Sequence, residues 1–311
     1  KALDYWKVPN LRGVIEPENA EFPLEHAIFT DRSLYRPQGI KIHTCRIKGA
    51  EQYTKKGVCS LPLVFMQVAP DYTIHELIYL GLQICSYQEG SPLCTVQDLY
   101  ACAKKLKGHR GRQKALRAIR YLDNGSRSPM ESILYMFLRL PNALGGCAFT
   151  EIRLNQKLSL RKSKKTYYAD LYVPSCKLDI EYDSQTHHDN PTAYSSDSIR
   201  SAHLEDEGYQ ILSVKPVQLY NLNHFETLAK NIARRIGKRI RIRARKFFES
   251  FVALRDLLAK ESHRIRSRFK KTRTFEFPKF PGVLSMYPLY LDAWKRLSHY
   301  PNQTLVLTRA P

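Results

Sequence analysis

Two acidic side chains, Asp170 and Glu181, have the spacing of a metal site built on a β-hairpin. Asp170 lies in a strand-like run at Tyr167–Val173, and Glu181 lies in a second run at Leu178–Tyr182. A turn between the runs would place both carboxylates at a common edge of a sheet. Like charges at short range raise each other's pKa, so such a pair is typical of a site that binds a cation. Because carboxylate oxygens suit hard divalent ions, the pair predicts a Mg²⁺ site that would also accept Mn²⁺.

The segments around this hairpin predict a mixed α/β domain. Ser128 has the position of an N-cap, Pro129 that of a first helical residue and Glu131 that of a first-turn acid, so a helix is expected to begin here. The order of helix, three strands, helix, strand and helix is that of a mixed sheet covered by helices. The further expected segments are strands at Phe149–Leu154, Tyr167–Val173, Leu178–Tyr182 and Tyr209–Val214 and a helix at Asp197–Glu207 that Gly208 ends.

The pattern of residues 1–122 predicts a smaller N-terminal α+β region, either regulatory or DNA-binding. Its first part has short β-like runs such as Ile40–Cys45, and prolines including Pro62 are expected to break any helical pattern there. From Ile74 to Leu106 the apolar residues recur at helical spacing. Thr95–Asp98 has the pattern of a capping box, with aspartate as its acidic member.

The positive charge of the chain predicts a polyanionic partner. The formal net charge is +21, and residues 230–274 hold seventeen Lys or Arg against three acidic residues. Such a block favours a nucleic-acid partner, although a solvated basic helix face or tail is the alternative interpretation. The C-terminal residues 249–311 form a basic and aromatic extension of the chain.

The remaining composition predicts a globular protein of the cytoplasm. Hydrophobic residues make up 43% of the chain, but no apolar run has the length of a membrane span and the first residues lack the apolar core of a signal peptide. The seven cysteines are odd in number and no pair has CxxC spacing, which argues against a zinc site or a disulfide framework. Free thiols in a reducing compartment are the simpler interpretation.

Several short motifs follow one another in a fixed order between Ser126 and Leu219. They are Ser128–Glu131, Ala169–Leu171, Ile180–Asp183, His187–His188, Asp197 with Arg200, and Gly208–Tyr209. Their order and spacing resemble the nuclease domain related to the very-short-patch mismatch-repair endonuclease, within the PD-(D/E)xK superfamily. The upstream segment Ser60–Ala69 is similar to the N-terminal half of bacterial proteins of this group, some of which are grouped with abortive-infection antitoxin-like proteins.

The resemblance implies a restriction-endonuclease-like fold, with a mixed sheet flanked by helices, over residues 123–248. Asp170 matches the strand aspartate of the superfamily, Glu181 the acidic member of its (D/E)xK motif, and Glu131 an acid supplied by the first helix. These three residues would hold Mg²⁺, which would activate water and polarise the scissile phosphate. Each also has a plain structural interpretation. The negative charge of Glu131, for example, interacts favourably with the dipole of its helix whether or not it binds a metal.

Asp183 stands where the superfamily has a lysine. A lysine there would orient the attacking water and stabilise charge, which a carboxylate does not do. Asp183 is then a further metal ligand, a general base or a solvent-facing acid, and these interpretations stay open. His187 or His188 would supply the proton transfers, unless their polar segment is an ordinary surface loop. The change from lysine also leaves room for a nuclease fold that has lost activity.

The expected nucleic-acid contacts lie in two helices. Arg200 is expected to contact a phosphate, or else to pair with Asp197 three residues earlier on its helix. From Phe225 onward we expect a long basic helix whose apolar face includes Ile236 and Ile240. The residues on it that would bind phosphates without reading sequence are Arg234, Arg235, Lys238, Arg239 and Arg241.

These observations favour a metal-dependent DNA endonuclease acting in mismatch repair, restriction or phage defence. The alternative is a non-catalytic DNA-binding antitoxin or regulator on a nuclease-like fold. RNA could replace DNA in either function, because composition does not separate the two. One active site would nick one strand, so cleavage of both strands would call for a homodimer.

Overall fold

The structure is a mixed α/β fold, described by a computed structural model over residues 2–17, 24–29, 40–87, 92–183, 191–240 and 247–269. The helices are α1 Ala2–Tyr5, α2 Leu61–Val68, α3 Ile74–Ile84, α4 Val96–Lys105, α5 Arg112–Ile119, α6 Pro129–Arg139, α7 Pro191–Asp206, α8 Pro216–Tyr220, α9 Leu222–Arg235 and α10 Phe247–Phe269. The strands are β1 Leu24–Phe29, β2 Ile40–Cys45, β3 Thr54–Lys55, β4 Val58–Cys59, β5 Arg153–Ser159, β6 Thr166–Val173, β7 Leu178–Tyr182 and β8 Gln210–Val214. The predicted mixed α/β class is therefore confirmed.

The main sheet has the strand order β5-β6-β7-β8. The first three strands are antiparallel, with Leu171 opposite Ile180, and β8 returns parallel to β7. A 3-10 turn at Pro174–Cys176 joins β6 to β7 and ends at Lys177, whose φ is 47°. The predicted hairpin is confirmed, because β6 and β7 pair across this turn. The first predicted strand is displaced: Phe149 and Ile152 are buried core residues that precede β5.

Helix α6 begins where its capping residues predict. The hydroxyl of Ser128 accepts a hydrogen bond from the backbone N–H of Glu131 at 3.1 Å, and Pro129 is the first helical residue. The apolar residues of the helix, from Met130 to Leu138, are buried. This cap fixes Glu131 in the first turn, where the helix dipole favours its negative charge.

The expectation that proline breaks every helix in the N-terminal region is wrong at Pro62. Pro62 lies in the first turn of α2, where a missing backbone N–H costs no hydrogen bond. The capping box at Thr95 is confirmed, since its hydroxyl accepts from Asp98 N–H and its own N–H donates to the Asp98 carboxylate at 2.9 Å. The region contains both helices, α1 to α5, and short strands, β1 to β4.

The long basic helix expected from Phe225 onward is wrong in its extent. Helix α9 begins at Leu222 and ends at Arg235, because Gly237 follows with a left-handed φ of 65°. Ile240 is therefore not on the helix, and Lys238 and Arg239 lie beyond its end. A glycine in this conformation ends a helix at little steric cost. The apolar periodicity continues across Gly237, so it gave no sign that the helix ends there.

One hydrophobic core links the N-terminal helices, the sheet and α10. It includes Leu3, Tyr79, Phe137, Ile180 and Phe251, which come from all three predicted segments of the chain. A second, smaller cluster of Leu158, Leu160, Ala169 and Leu204 packs α7 against the sheet. The domain boundaries at residues 122 and 248 stay a prediction.

All seven cysteines are free, and six of them are buried. Among the residues that the structure describes, no helix is long and apolar enough to cross a membrane.

Candidate functional site

Acidic side chains converge on strands β6 and β7. Continuing the register beyond Leu171 and Ile180 places Asp170 opposite Glu181. The Asp170 carboxylate also accepts a hydrogen bond from the backbone N–H of Tyr182 at 3.0 Å. The hairpin thus brings together the two acids that the sequence predicts, and the bond to Tyr182 holds one of them against the partner strand.

Asp179 is a third strand carboxyl that the sequence analysis missed. It lies two residues before Glu181, so the alternation of β7 puts both side chains on one face. Asp179 is completely buried, and its Oδ1 has no hydrogen-bond partner among the described residues. The i, i+2 spacing of Asp179 and Glu181 was visible in the sequence, but an acid in an apolar strand was not recognised as part of the site.

Glu131 brings a further carboxylate from the first turn of α6. It is buried, and its carboxylate accepts the backbone N–H of Arg127 at 2.9 Å. Burial raises the pKa of Glu131, and the nearby Glu181 raises it further. The helix start at Ser128 therefore places Glu131 near the carboxylates of the strands, as predicted.

The pKa values of the strand acids reflect this crowding. Burial raises the pKa of Asp170 to about 8, and the charges of Glu131 and Glu181 add to the effect. Burial also raises the pKa of Asp179 to about 9, with Glu181 as the next cause. Four acids in one partly buried cluster are stable only with bound protons or a compensating cation. We call Glu131, Asp170, Asp179 and Glu181 the carboxylate cluster.

The cation that the structure places in this cluster is Arg200 of α7. Its guanidinium binds both carboxylate oxygens of Glu181, one of them at 3.1 Å, and contacts Asp179 at 3.3 Å. It also donates to the backbone carbonyl of Tyr168 at 3.1 Å. A bidentate pair of this kind is the strong form of an arginine–carboxylate contact. Arg200 thus binds carboxylates in this structure, and its phosphate contact stays a prediction.

The donor chemistry of the cluster suits a hard divalent cation. The oxygens that could bind such an ion all belong to carboxylates, and Asp179 Oδ1 has no hydrogen bond within the described part of the chain. In this arrangement, however, no group of three or more His, Cys, Asp or Glu side chains among the described residues has the geometry of a metal centre. Arg200 provides the positive charge instead.

A second cation, Arg127, lies beside the cluster. Its guanidinium stands over the ring of Tyr168 at 4.9 Å, while its backbone N–H binds Glu131. Tyr168 is 40% exposed, so this pair lies where the cluster meets solvent. Arg127 could not be identified from the sequence, because a lone arginine before a helix cap has no distinctive spacing.

Of the remaining predicted catalytic residues, the structure describes only Asp183. Asp183 directly follows β7, where its backbone N–H donates to the Val214 carbonyl at 3.0 Å and its side chain is half-buried. His187, His188 and Arg241 lie outside the described residues.

The predicted phosphate-binding residues on and after α9 have varied surroundings. Arg234 and Arg239 are exposed. Arg235 donates to Gln210 at 2.8 Å, and Lys238 forms an ion pair with Glu151 at 2.7 Å. These internal contacts do not prevent nucleic-acid binding, but such binding would have to compete with them.

Comparison with known protein families, curated proteins and solved structures gives no match to this chain.

Proposed function

We propose that the chain is a metal-dependent DNA endonuclease with a restriction-endonuclease-like fold. The observation that carries the proposal is the convergence of Glu131, Asp170 and Glu181 from a helix start and two adjacent strands. The mutual influence of these acids on their pKa values supports it, because a cluster of this kind gains stability from a cation. The motif order that resembles very-short-patch-repair nucleases supports the same reaction class.

In this proposal Glu131, Asp170 and Glu181 hold Mg²⁺, or Mn²⁺ in its place. The bound metal would activate water and neutralise charge at the scissile phosphate. The hydrogen bond from the Tyr182 N–H would hold the Asp170 carboxylate in place for ligation. Asp179 lies beside Glu181 and contacts the guanidinium of Arg200 at 3.3 Å, so it would share that positive charge.

Arginines would supply the phosphate contacts. Arg127 lies at the exposed edge of the cluster, and Arg200 would be free to bind phosphate once Glu181 ligates the metal. A guanidinium binds two phosphate oxygens at once, as it now binds two oxygens of Glu181. Asp183 stays a candidate base or additional ligand because it directly follows the strand that carries Glu181.

The direct test is cleavage of supercoiled plasmid in Mg²⁺, in Mn²⁺ and in EDTA. We expect metal-dependent nicking by the parent protein, lost in an Asp170→Asn/Glu181→Gln variant. The matched control is Asp206→Asn/Glu205→Gln, which removes the same charge from exposed positions and should cleave as the parent does. Equal cleavage by parent and cluster variant would reject the site, and direct linearisation would indicate that two copies act together.

The second candidate function is a non-catalytic DNA-binding regulator on the same fold. Two features favour it: Arg200 holds Glu181 through both carboxylate oxygens, and Asp183 stands where the superfamily that the motifs resemble has its catalytic lysine. This function predicts that the plasmid is retarded in a gel but not cut. It also predicts that neither EDTA nor the cluster variant changes the retardation.

A further inference from the structure

A second concentration of positive charge lies in the N-terminal helices. Residues 99–122 contain eight Lys or Arg and no Asp or Glu. These residues belong to α4, α5 and the turn between them, except for Arg120–Leu122, which directly follow α5. They are separate from the basic block at 230–274, and none of them belongs to the carboxylate cluster.

Helices α4 and α5 are held at a fixed separation. The Nε of Arg112 donates to the carbonyl of Ala103 at 2.7 Å, which ties the start of α5 to α4. Gly111 lies against α2 so closely that a Cβ there would be 2.1 Å from the Met66 carbonyl oxygen. A larger residue at 111 would push α5 away, so the glycine sets the position of this helix pair.

A groove of about 410 Å³ lies on these two helices. Its size falls in the range of ligand clefts, roughly 300 to 1,000 Å³. The residues that line it are Tyr100, Lys104, Arg112, Leu116, Ile119 and Arg120. The groove therefore combines three cations with an aromatic ring and an apolar floor.

The three cations of the groove lack an acidic partner within the described part of the chain. Lys104, Arg112 and Arg120 form no ion pair with a carboxylate there, whereas Arg200 and Lys238 both do. Tyr100 is 50% exposed. A solvated helix face accounts for exposed cations, but it gives no reason for an exposed aromatic ring in a groove beside them.

We propose that this groove binds single-stranded nucleic acid. Lys104, Arg112 and Arg120 contact successive phosphates, and Tyr100 stacks on an unpaired base. This pairing of cations with an aromatic surface is the general means of holding a single strand without reading its sequence. The binding requires no cleavage, so the groove would serve an active nuclease and a non-catalytic regulator alike.

The test measures binding of a fluorescein-labelled single-stranded DNA by fluorescence anisotropy, in EDTA and over a range of NaCl concentrations. The variant Lys104→Gln/Arg120→Gln removes two cations from the groove. Its matched control, Lys107→Gln/Arg117→Gln, removes two exposed cations of the same segment that do not line the groove. All four residues are exposed, and circular dichroism checks that the fold is retained.

We expect the groove variant to bind more weakly and its salt dependence to fall by roughly one to two in the log–log slope, as two lost phosphate contacts require. Tyr100→Ala should weaken binding roughly 5- to 100-fold, while Tyr100→Phe keeps the ring and the affinity. The proposal is overturned if the groove variant and its control lose the same affinity, if Tyr100→Ala binds as the parent does, or if the parent does not bind. Plasmid cleavage tests the nuclease separately, because these measurements exclude metal.

Discussion

Arg200 is the side chain on which the charge balance of the carboxylate cluster depends. It reaches Glu181 and the fully buried Asp179, and a quarter of its own side chain stays exposed. Removing one member of a buried ion pair leaves its partner's charge uncompensated, which costs more than the pair contributes. Arg200 and a divalent cation would stabilise the same acids, so each should weaken the effect of the other.

Replacing Arg200 tests this balance without any measurement of activity. We expect Arg200→Gln to lower the free energy of unfolding by about 2 to 4 kcal/mol in EDTA, because Glu181 and Asp179 lose their cation. Mg²⁺ should then raise the unfolding temperature of the variant more than that of the parent, since ligand binding stabilises the folded state by mass action. Calorimetry with and without Mg²⁺ measures both effects.

The control for this prediction is Arg161→Gln, which removes an exposed arginine outside the cluster and should change little. If Mg²⁺ shifts the parent and Arg200→Gln equally, Arg200 does not compete with a metal at this cluster. If neither protein responds to Mg²⁺, the carboxylate cluster is not a magnesium site.

At the scale of elements, a buried polar contact joins α3 to the turn that follows α6. His75, near the start of α3, donates from Nε2 to the carbonyl of Leu144, which lies in the turn after α6. Burial lowers the pKa of His75, although the bond to Leu144 opposes the shift. Burial therefore favours the neutral imidazole in the folded state, and protonation of His75 competes with folding.

This arrangement makes the stability of the fold depend on pH. The lowered pKa of His75 contributes stability that is fully present above the unfolded value near 6.5 and is lost as the pH falls through the folded value. We expect His75→Gln, whose amide can also donate to Leu144, to lose less unfolding free energy than the parent on acidification. Urea unfolding at several pH values measures this, and parallel curves for the two proteins would contradict it.

At the scale of the whole molecule, α10 is part of the core and not an appendage. Phe251 is fully buried and stacks on Phe247 with ring centroids 5.6 Å apart. It also contacts Phe137 of α6 at 5.8 Å, so one ring joins the C-terminal helix to the helix that carries Glu131. Next to it, Gly145 has a φ of 78° and approaches the Phe251 backbone so closely that a Cβ would lie 2.4 Å from its nitrogen.

A truncation at this ring should destabilise the whole molecule. We expect Phe251→Ala to lower the free energy of unfolding by about 3 to 5 kcal/mol, the usual cost of removing a buried aromatic ring. Phe248→Ala, at the half-buried neighbouring position, should cost clearly less. Chemical denaturation followed by fluorescence compares the two, and equal losses would mean that α10 does not depend on Phe251 for its packing.

Those features of the molecule that depend on neighbouring residues could be predicted from the sequence. The cap of α6 at Ser128, the capping box at Thr95 and the β6–β7 hairpin each depend on contacts within a few residues. The convergence of Asp170 and Glu181 follows from the hairpin, because strand pairing and the alternation of side chains put both carboxylates on the same face. Helix ends were less predictable, since the left-handed Gly237 ended α9 inside a continuous apolar pattern.

Only the tertiary structure decided how the charges of the cluster are balanced. The sequence by itself determined which acids lie on the hairpin and at the helix start, because local backbone geometry places Asp170, Glu181 and Glu131. The contact of Arg200 with Glu181 crosses from α7 to β7, and the burial of Asp179 depends on what packs over the sheet. Such contacts form between segments that are far apart in the sequence. Their energies depend on burial and packing, which no local sequence pattern encodes.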